Sequence, residues 1–521
     1  MNKNIYNNLK MYLAISLSVT TLHSYELKPV GLKATGMGGT GVANTRGSLA
    51  SYYNPALLRF SDYTTDIELN AGLKVREANL LQPINELTNI DFSGTLERIG
   101  NNAGTGKKKL VINGIVITNT LLAGTSNKDK DKNNIKDAID IITKRIGAKN
   151  ALQVSAIPSF TAQISDAIAI GVYRNIDANF RININSDYDK MIVKTTETIN
   201  SQTLDIYYSY DYDTDEYIGT TDDKDYKTKS LEYATNNGIN YILVDTAILL
   251  ETPISYARMY DFKSGTYSFG ASIKPMTLTS SKTKLKIGES LSDANDKRND
   301  LETTYDSTFG LDLGIAYKPN NSKLTLGIVG KNLNSPTFKV NKTTTNEKDY
   351  KIDPYLRAGL SVPIWNDNIE FALDLDLQKN DTIISGEKTQ FVGTGIELHP
   401  SSSFALRAGA MKDLASQNFD DGTILTAGVG FGLKWLQFDI SAMLGTNKSE
   451  FKGQEIPKYF AVNLALVSRW GDGYNRKQAP ITNEKNIKKE KIMSIKEKSD
   501  KAQLELEKGT KETTEDKNSE N

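Results

Sequence analysis

Cysteine is missing from all 521 residues. That excludes disulfides, a lipid-anchored cysteine, thiolate metal sites and thiol redox chemistry, and it suits a chain matured in an oxidising envelope compartment. Histidine is almost as scarce, with His23 and His399 alone, so no histidine triad or histidine metal cluster can be assembled. No apolar run reaches the roughly 20 residues that a membrane-spanning helix needs. Neither sign of charge is in excess, with 63 basic and 63 acidic residues, which removes the electrostatic case for a nucleic-acid partner. None of these absences excludes a transmembrane β-barrel, whose strands cross with about 9 to 11 residues and turn only alternate side chains to lipid.

What is present begins with a short export signal. Lys3 and Lys10 flank a cationic segment, Met11 to Val19 is apolar, and small polar residues follow. Residues 1–24 therefore read as a secretory signal peptide. At the other end, residues 471–521 are dominated by Lys, Glu, Asn, Ser and Thr and read as a charged periplasmic tail, with Ile487 to Lys508 able to form a charged helix.

Between them runs an alternating rhythm. About fourteen period-two strands can be marked from Tyr63–Val75 to Lys458–Trp470, an even number as bacterial barrels require. Short turns alternate with long polar loops, as in an antiparallel up-and-down barrel with periplasmic turns and external loops. The expected fold is thus all-β: an antiparallel transmembrane barrel at 63–470 in the outer membrane of a Gram-negative bacterium, termini in the periplasm. A segment at 25–62 precedes the barrel.

The strand faces divide sharply. Phe309, Leu311, Leu313, Ile315 and Tyr317 oppose Gly310, Asp312, Gly314 and Ala316. The apolar row is assigned to lipid, and the alternative is the core of a soluble sandwich. Glycine weakens a strand, yet the inner row carries Gly310, Gly314, Gly359, Gly393, Gly395, Gly409, Gly428, Gly430 and Gly432. Either another segment, the N-terminal one, approaches the wall there, or these glycines relieve curvature. The inner face also carries Asp312, Arg357, Asp374, Asp376, Glu397, Arg407 and Asp439. They read as ion pairs in a wet interior rather than as catalytic carboxylates, so the chain is read as a non-enzyme without cofactor or metal.

Two stretches break the rhythm. Residues 80–150 are a helical and polar insertion in which Ile135, Ala138, Ile139, Ile142 and Ile146 share one helical face over Asn134–Ile146. Residues 182–243 form a long external loop whose Tyr/Asp-rich part, Tyr207 to Tyr226, lacks the spacing of a calcium loop and is expected to be solvated.

The segment Gly36, Met37, Gly38, Gly39, Thr40, Gly41, followed by Ser51, Tyr52, Tyr53, Asn54, Pro55, Ala56, resembles the start of the long-chain fatty-acid transporter (FadL-like) superfamily of outer-membrane barrels. Within it, Pro253–Ala257, Phe269–Lys274, Leu311–Tyr317 and Ala405–Ala410 resemble the branch of plasmid-transfer-operon (conjugal transfer) TraF-like proteins. The resemblance implies a fourteen-stranded barrel closed by an internal N-terminal hatch, with Gly36, Gly38, Gly39, Tyr53, Asn54 and Pro55 as the hatch motif. It also implies passage or binding of hydrophobic small molecules. Outer-membrane lipid is the surrounding partner, and tail or loops could hold envelope proteins. A structural or assembly component of an envelope machine without transport is the other reading.

Overall fold

Residues with alternating character give a strand two unlike faces, and only closure of the sheet removes its hydrogen-bonding edges within a membrane. The computed structural model describes residues 28–471 except 91–106, 113–114, 122–127, 148–149, 200, 212–213, 215, 287–302, 340–348, 366, 382–387, 402, 417–418 and 434. The signal peptide and nearly all of the charged tail expected from the sequence lie outside the described residues.

The barrel strands are β1 (Thr65–Ala78), β2 (Ala151–Gln163), β3 (Ile168–Asn183), β4 (Tyr241–Glu251 and Ile254–Phe262), β5 (Gly265–Lys286), β6 (Thr303–Pro319) and β7 (Thr325–Lys331). They continue as β8 (Tyr355–Ile364), β9 (Ile369–Asp376), β10 (Phe391–Ser401), β11 (Phe404–Asp413), β12 (Thr423–Leu433), β13 (Leu436–Gly445) and β14 (Tyr459–Trp470). All pairings are antiparallel between chain neighbours, and β1 pairs with β14 from Thr65↔Trp470 to Arg76↔Tyr459, which closes the barrel. The two pieces of β4 keep one register against β3 and one against β5, so they are a single strand interrupted at Thr252–Pro253. Fourteen strands result.

The outer face is apolar where it meets lipid. On β6, Phe309, Leu313 and Ile315 are exposed while Gly310, Asp312, Gly314 and Ala316 face inward and are buried. All three tryptophans, Trp365, Trp435 and Trp470, stand exposed at the rim of short turns, where amphipathic rings mark a membrane–water interface. Both ends of the barrel chain lie at that same rim, so the long connections are external and the ends periplasmic. His399 belongs to β10, because the β10–β11 hairpin extends to Ser401↔Phe404.

Wall height is uneven. β5 has 22 residues and β7 only 7, so the β3–β6 panel rises outside the bilayer above its neighbours. Beside it lies a five-stranded sheet in the order Ile115–Leu121, Lys107–Ile112, Glu216–Thr220, Gln202–Asp211, Ile192–Ile199. It draws strands from both insertions and joins them through a parallel pairing of Lys107–Leu110 with Glu216–Gly219. The Tyr/Asp-rich stretch is therefore not the solvated loop expected. Its tyrosines are amphipathic enough to make a core: Tyr208, Tyr210 and Tyr217 pack with Leu110, Ile139 and Ile206, and Tyr207 packs with Tyr226 and Ile192. The amphipathic helix expected in the first insertion runs from Lys128 to Asp140 and ends in a π-turn, Ile141–Arg145.

Candidate functional site

The lumen is filled by residues 28–62. Two short helices, α1 (Leu32–Gly36) and α2 (Ala50–Tyr53), are joined by turns, and a 3₁₀ segment, Pro55–Phe60, leads to β1. Helices this short are marginal alone, so their geometry is set by contacts with each other and the wall. Gly38 and Gly39 hold φ of 67° and 77°, left-handed values that turn the chain after α1. Asn54 starts the 3₁₀ segment as an N-cap: its Oδ1 accepts from the Ala56 N–H at 3.1 Å, with Pro55 at the first position. Its Nδ2 donates to the Val42 carbonyl at 3.0 Å and to the Ile315 carbonyl of β6 at 3.2 Å, coupling hatch turn to wall. The Tyr53 hydroxyl donates to the Val30 carbonyl at 2.8 Å and accepts from the Val30 N–H at 2.7 Å, which ties α2 to the entering chain.

The inner-row glycines sit under this segment. A Cβ on Gly270 would lie 2.2 Å from the Ala56 nitrogen, one on Gly327 2.3 Å from the Val42 carbonyl oxygen, and one on Gly395 2.5 Å from the Met37 Cα. Gly409 and Gly428 similarly face Gly38 and Gly36. Any side chain at these positions would push the hatch off the wall. Gly310 and Gly430 differ, since Lys274 and Met276 over the first and Asp439 over the second occupy the space in place of the hatch, and Gly432 has a φ of 157° near the β12–β13 turn.

The inward charges form a belt around the hatch. Arg357 lies 3.3 Å from Asp374 and 3.4 Å from Asp376, and donates to the Gly39 carbonyl at 3.0 Å. Asp374 accepts the N–H groups of Gly41 at 2.7 Å and Val42 at 3.0 Å. Arg407 bridges Glu397 and Asp439, and Glu397 also pairs with Lys33 of α1 at 2.8 Å. Asp312 meets Lys274 at 3.1 Å, which also reaches Glu251 at 3.0 Å. Two clusters around Arg357 and Arg407 thus hold the hatch, while Asp312 lies apart with Lys274. Sequence reading did not single out Lys28, Lys33, Asp66, Lys274 or Lys331. Lys28 pairs with Asp177, Asp66 accepts from the Ser48 N–H at 2.9 Å, and Lys331 donates to the Tyr52 carbonyl at 2.7 Å. Strand parity alone would have put Asp66, Lys274 and Lys331 inside.

Above the hatch, Phe338, Tyr350, Ile352 and Phe419 from external connections form an apolar cluster with Leu249, Met276 and Leu278 of the raised panel. The Arg76 guanidinium covers the Phe419 ring at 4.3 Å and pairs with Asp421 at 2.6 Å. His399 Nε2 lies 2.8 Å from Glu397 Oε1. No group of three or more His, Cys, Asp or Glu suited to a metal ion occurs among the described residues. Outside the bilayer, the hydrogen bond from Arg145 holds the Glu86 carboxyl below its usual range, and burial pushes that of Glu232 up.

The arrangement is a fourteen-stranded barrel around an N-terminal hatch. A family profile described as "F plasmid transfer operon, TraF, protein" matches residues 51–377. No curated protein matches. Similar solved structures include the Ralstonia pickettii toluene transporter TbuX, with 12% identity, TM-score 0.44, 85% of this chain and 99% of that one covered. A Pseudomonas aeruginosa FadL homologue gives 12% identity, TM-score 0.42 and coverage of 86% and 99%. The P. putida toluene transporter TodX gives 11%, 0.40, 86% and 100%. Identities this low carry no cargo from those proteins to this one.

Proposed function

The chain belongs to the F plasmid transfer operon TraF protein family, and from that premise we propose an outer-membrane barrel that binds or passes hydrophobic small molecules past its hatch. The observation that carries this reading is a proline-bearing panel of wall beside the hatch. Pro158 of β2, Pro253 in the break of β4 and Pro275 of β5 fall at neighbouring levels of nearby strands. Each removes a ladder donor. The β2–β3 ladder lapses between Ala156↔Ile176 and Ser159↔Tyr173, and β3 loses regular pairing with β4 at Gly171–Val172. Only single bonds span the β4 break, from the Gly171 N–H to Pro253 O at 2.9 Å and from the Thr252 N–H to Pro275 O at 3.0 Å.

An apolar solute received at the external cluster would pass beside the hatch as it shifts from the inner-wall glycines. It would leave sideways into lipid through the weak panel, without crossing water. The test is uptake of a fluorescent apolar probe by proteoliposomes containing wild type or Pro253→Val, which restores a ladder donor. Slower uptake by the variant is expected; equal uptake would refute the lateral route.

A second reading, an assembly component without transport, is favoured by the external sheet built from two insertions. Deleting residues after Trp470, or the external sheet, separates the two. Complex formation lost with uptake intact would support both roles, and uptake absent in the wild type would leave only the second.

A further inference from the structure

The hatch is not held equally on all sides. Against β5–β12, wall groups bond its backbone: Ser268 to the Ala56 carbonyl at 2.6 Å, Arg357 to Gly39, Asp374 to Gly41 and Val42, and Thr426 to the Gly36 carbonyl at 3.0 Å and the Gly38 N–H at 2.9 Å. Against β2 and β3 the bonds are between side chains: Ser48 with Thr161 at 2.7 Å, Ser51 with Tyr173 at 3.0 Å, and Lys28 with Asp177.

On that second side the wall carries polar groups that the closed protein leaves unpaired. Both amide atoms of Gln163, the Ser159 hydroxyl and the Oδ1 atoms of Asn175 and Asn179 lack a hydrogen-bond partner, and all four residues are more than nine-tenths buried. They share the inner rows of β2 and β3. Asn179 stands opposite Gln153, and Gln163 lies ten residues beyond Gln153 along β2. Ten rises are about 33 Å of strand. At a tilt of roughly 40° that is about the 25 Å height of the apolar band. Apart from Ile157, the β2 row is Gln153, Ser155, Ser159, Thr161 and Gln163, polar throughout and without formal charge.

We propose that the β2–β3 side of the lumen is a gated hydrophilic conduit for water and small uncharged polar solutes. It is closed while the hatch rests there and opens when the hatch swings about its backbone anchors on β5–β12. Amide and hydroxyl groups that are unpaired in the closed state gain partners when water or a hydroxylated solute enters, and the hatch leaves this side without breaking a backbone hydrogen bond to β2 or β3, so opening is favoured here. Those groups select neither cations nor anions, and Asp177, parted from Lys28 as the hatch swings, adds a carboxylate that disfavours anions. This inference rests on the hatch arrangement above but assigns a second class of solute.

The test uses the full chain in phosphatidylcholine vesicles, with swelling in glycerol as the readout. Because the chain has no cysteine, two clamps can be compared cleanly. The first is Ser48→Cys with Thr161→Cys. The second is Val42→Cys with Gly359→Cys, where the two Cβ positions lie 3.1 Å apart, slightly inside disulfide range; because a Cβ on Gly359 would also stand 2.1 Å from Asp374 Oδ1, the reduced form of the same double variant is its reference. Wild-type protein should swell vesicles faster than protein-free controls. The β2 clamp should abolish the excess, with recovery on reduction, and the β8 clamp should leave it. Gln163→Leu should slow swelling by roughly tenfold, the factor given by about 1.4 kcal/mol. Swelling no faster than in protein-free vesicles, or blocked by the β8 clamp and spared by the β2 clamp, would overturn the proposal. Uptake of the apolar probe by the same vesicles separates the two readings: probe uptake without swelling sinks this inference alone, and swelling without probe uptake sinks the lateral route alone.

Discussion

The carbonyl oxygen of Gly38 occupies the space over Gly393 of β10, 1.9 Å from where a Cβ on that residue would stand. Backbone meets backbone there, so neither partner can yield by changing a rotamer. Contacts of this kind make the hatch a fitted part of the wall and not a loosely held plug.

Gly393→Ala should therefore displace the hatch while leaving the strands paired. Overpacking of this sort costs about 1–3 kcal/mol. The expected result is a lower midpoint in heat-modifiable gel mobility and faster proteolysis within residues 28–62. Gly147→Ala is the control, since a Cβ there meets nothing within 4 Å, and it should behave as wild type.

Asp374→Ala should be the most damaging single change in the charge belt. It strips the Gly41 and Val42 N–H groups of their acceptor and leaves Arg357 with one carboxylate fewer. Removing one member of a buried pair costs about 3–5 kcal/mol. A double variant with Arg357→Met should lose less than the sum of the two single changes, and additive losses in the mobility midpoint would show the two residues to be uncoupled.

Asn54→Ala removes both the N-cap and the bridge between Val42 and Ile315. A loss of about 1–2 kcal/mol is expected, and Asn54→Asp should lose more, because it turns a buried carboxylate oxygen onto the Val42 and Ile315 carbonyls that Nδ2 serves. Thermal unfolding of the three proteins should fall in the order wild type, Ala, Asp.

Acid should loosen the helix at Leu81–Asn89 before the barrel. The folded Glu86 carboxyl is held below its usual value by Arg145. The stabilisation it gives is present above the ordinary glutamate pKa, near 4.5, and is lost as pH falls through the lowered folded value. Limited proteolysis with an acid-active protease should open the 81–89 region first on acidification, and Glu86→Gln should remove that pH dependence.

Much of this was legible in the chain. Parity along Phe309–Tyr317 separated lipid face from lumen, and an inner row of glycines marked where a second segment lies against the wall. What escaped was whatever depends on partners distant in sequence. The parallel pairing of Lys107 with Glu216 joins two insertions across β2 and β3, and no local pattern announces it. A hairpin signal at Asn113-Gly114 between Lys107–Ile112 and Ile115–Leu121 was nevertheless available. The tyrosines from Tyr207 to Tyr226 looked solvated because aspartates intersperse them, yet alternation sends Tyr208 and Tyr210 to the face opposite Asp205 and Asp211, while Tyr207, on the aspartates' face, is covered by Tyr226. The interruption at Pro253 left the register unshifted and so could not be told from continuous strand.

The pairing of Thr65 with Trp470 also dictates an order of assembly. It joins the first barrel strand to the last, so closure must wait until the whole chain has been delivered, and contacts of such sequence separation form late. Because the hatch directly precedes β1 and ends up enclosed on every side, it must be seated against the nascent sheet before that seam zips. A hatch that misses its place before the seam closes would be shut out.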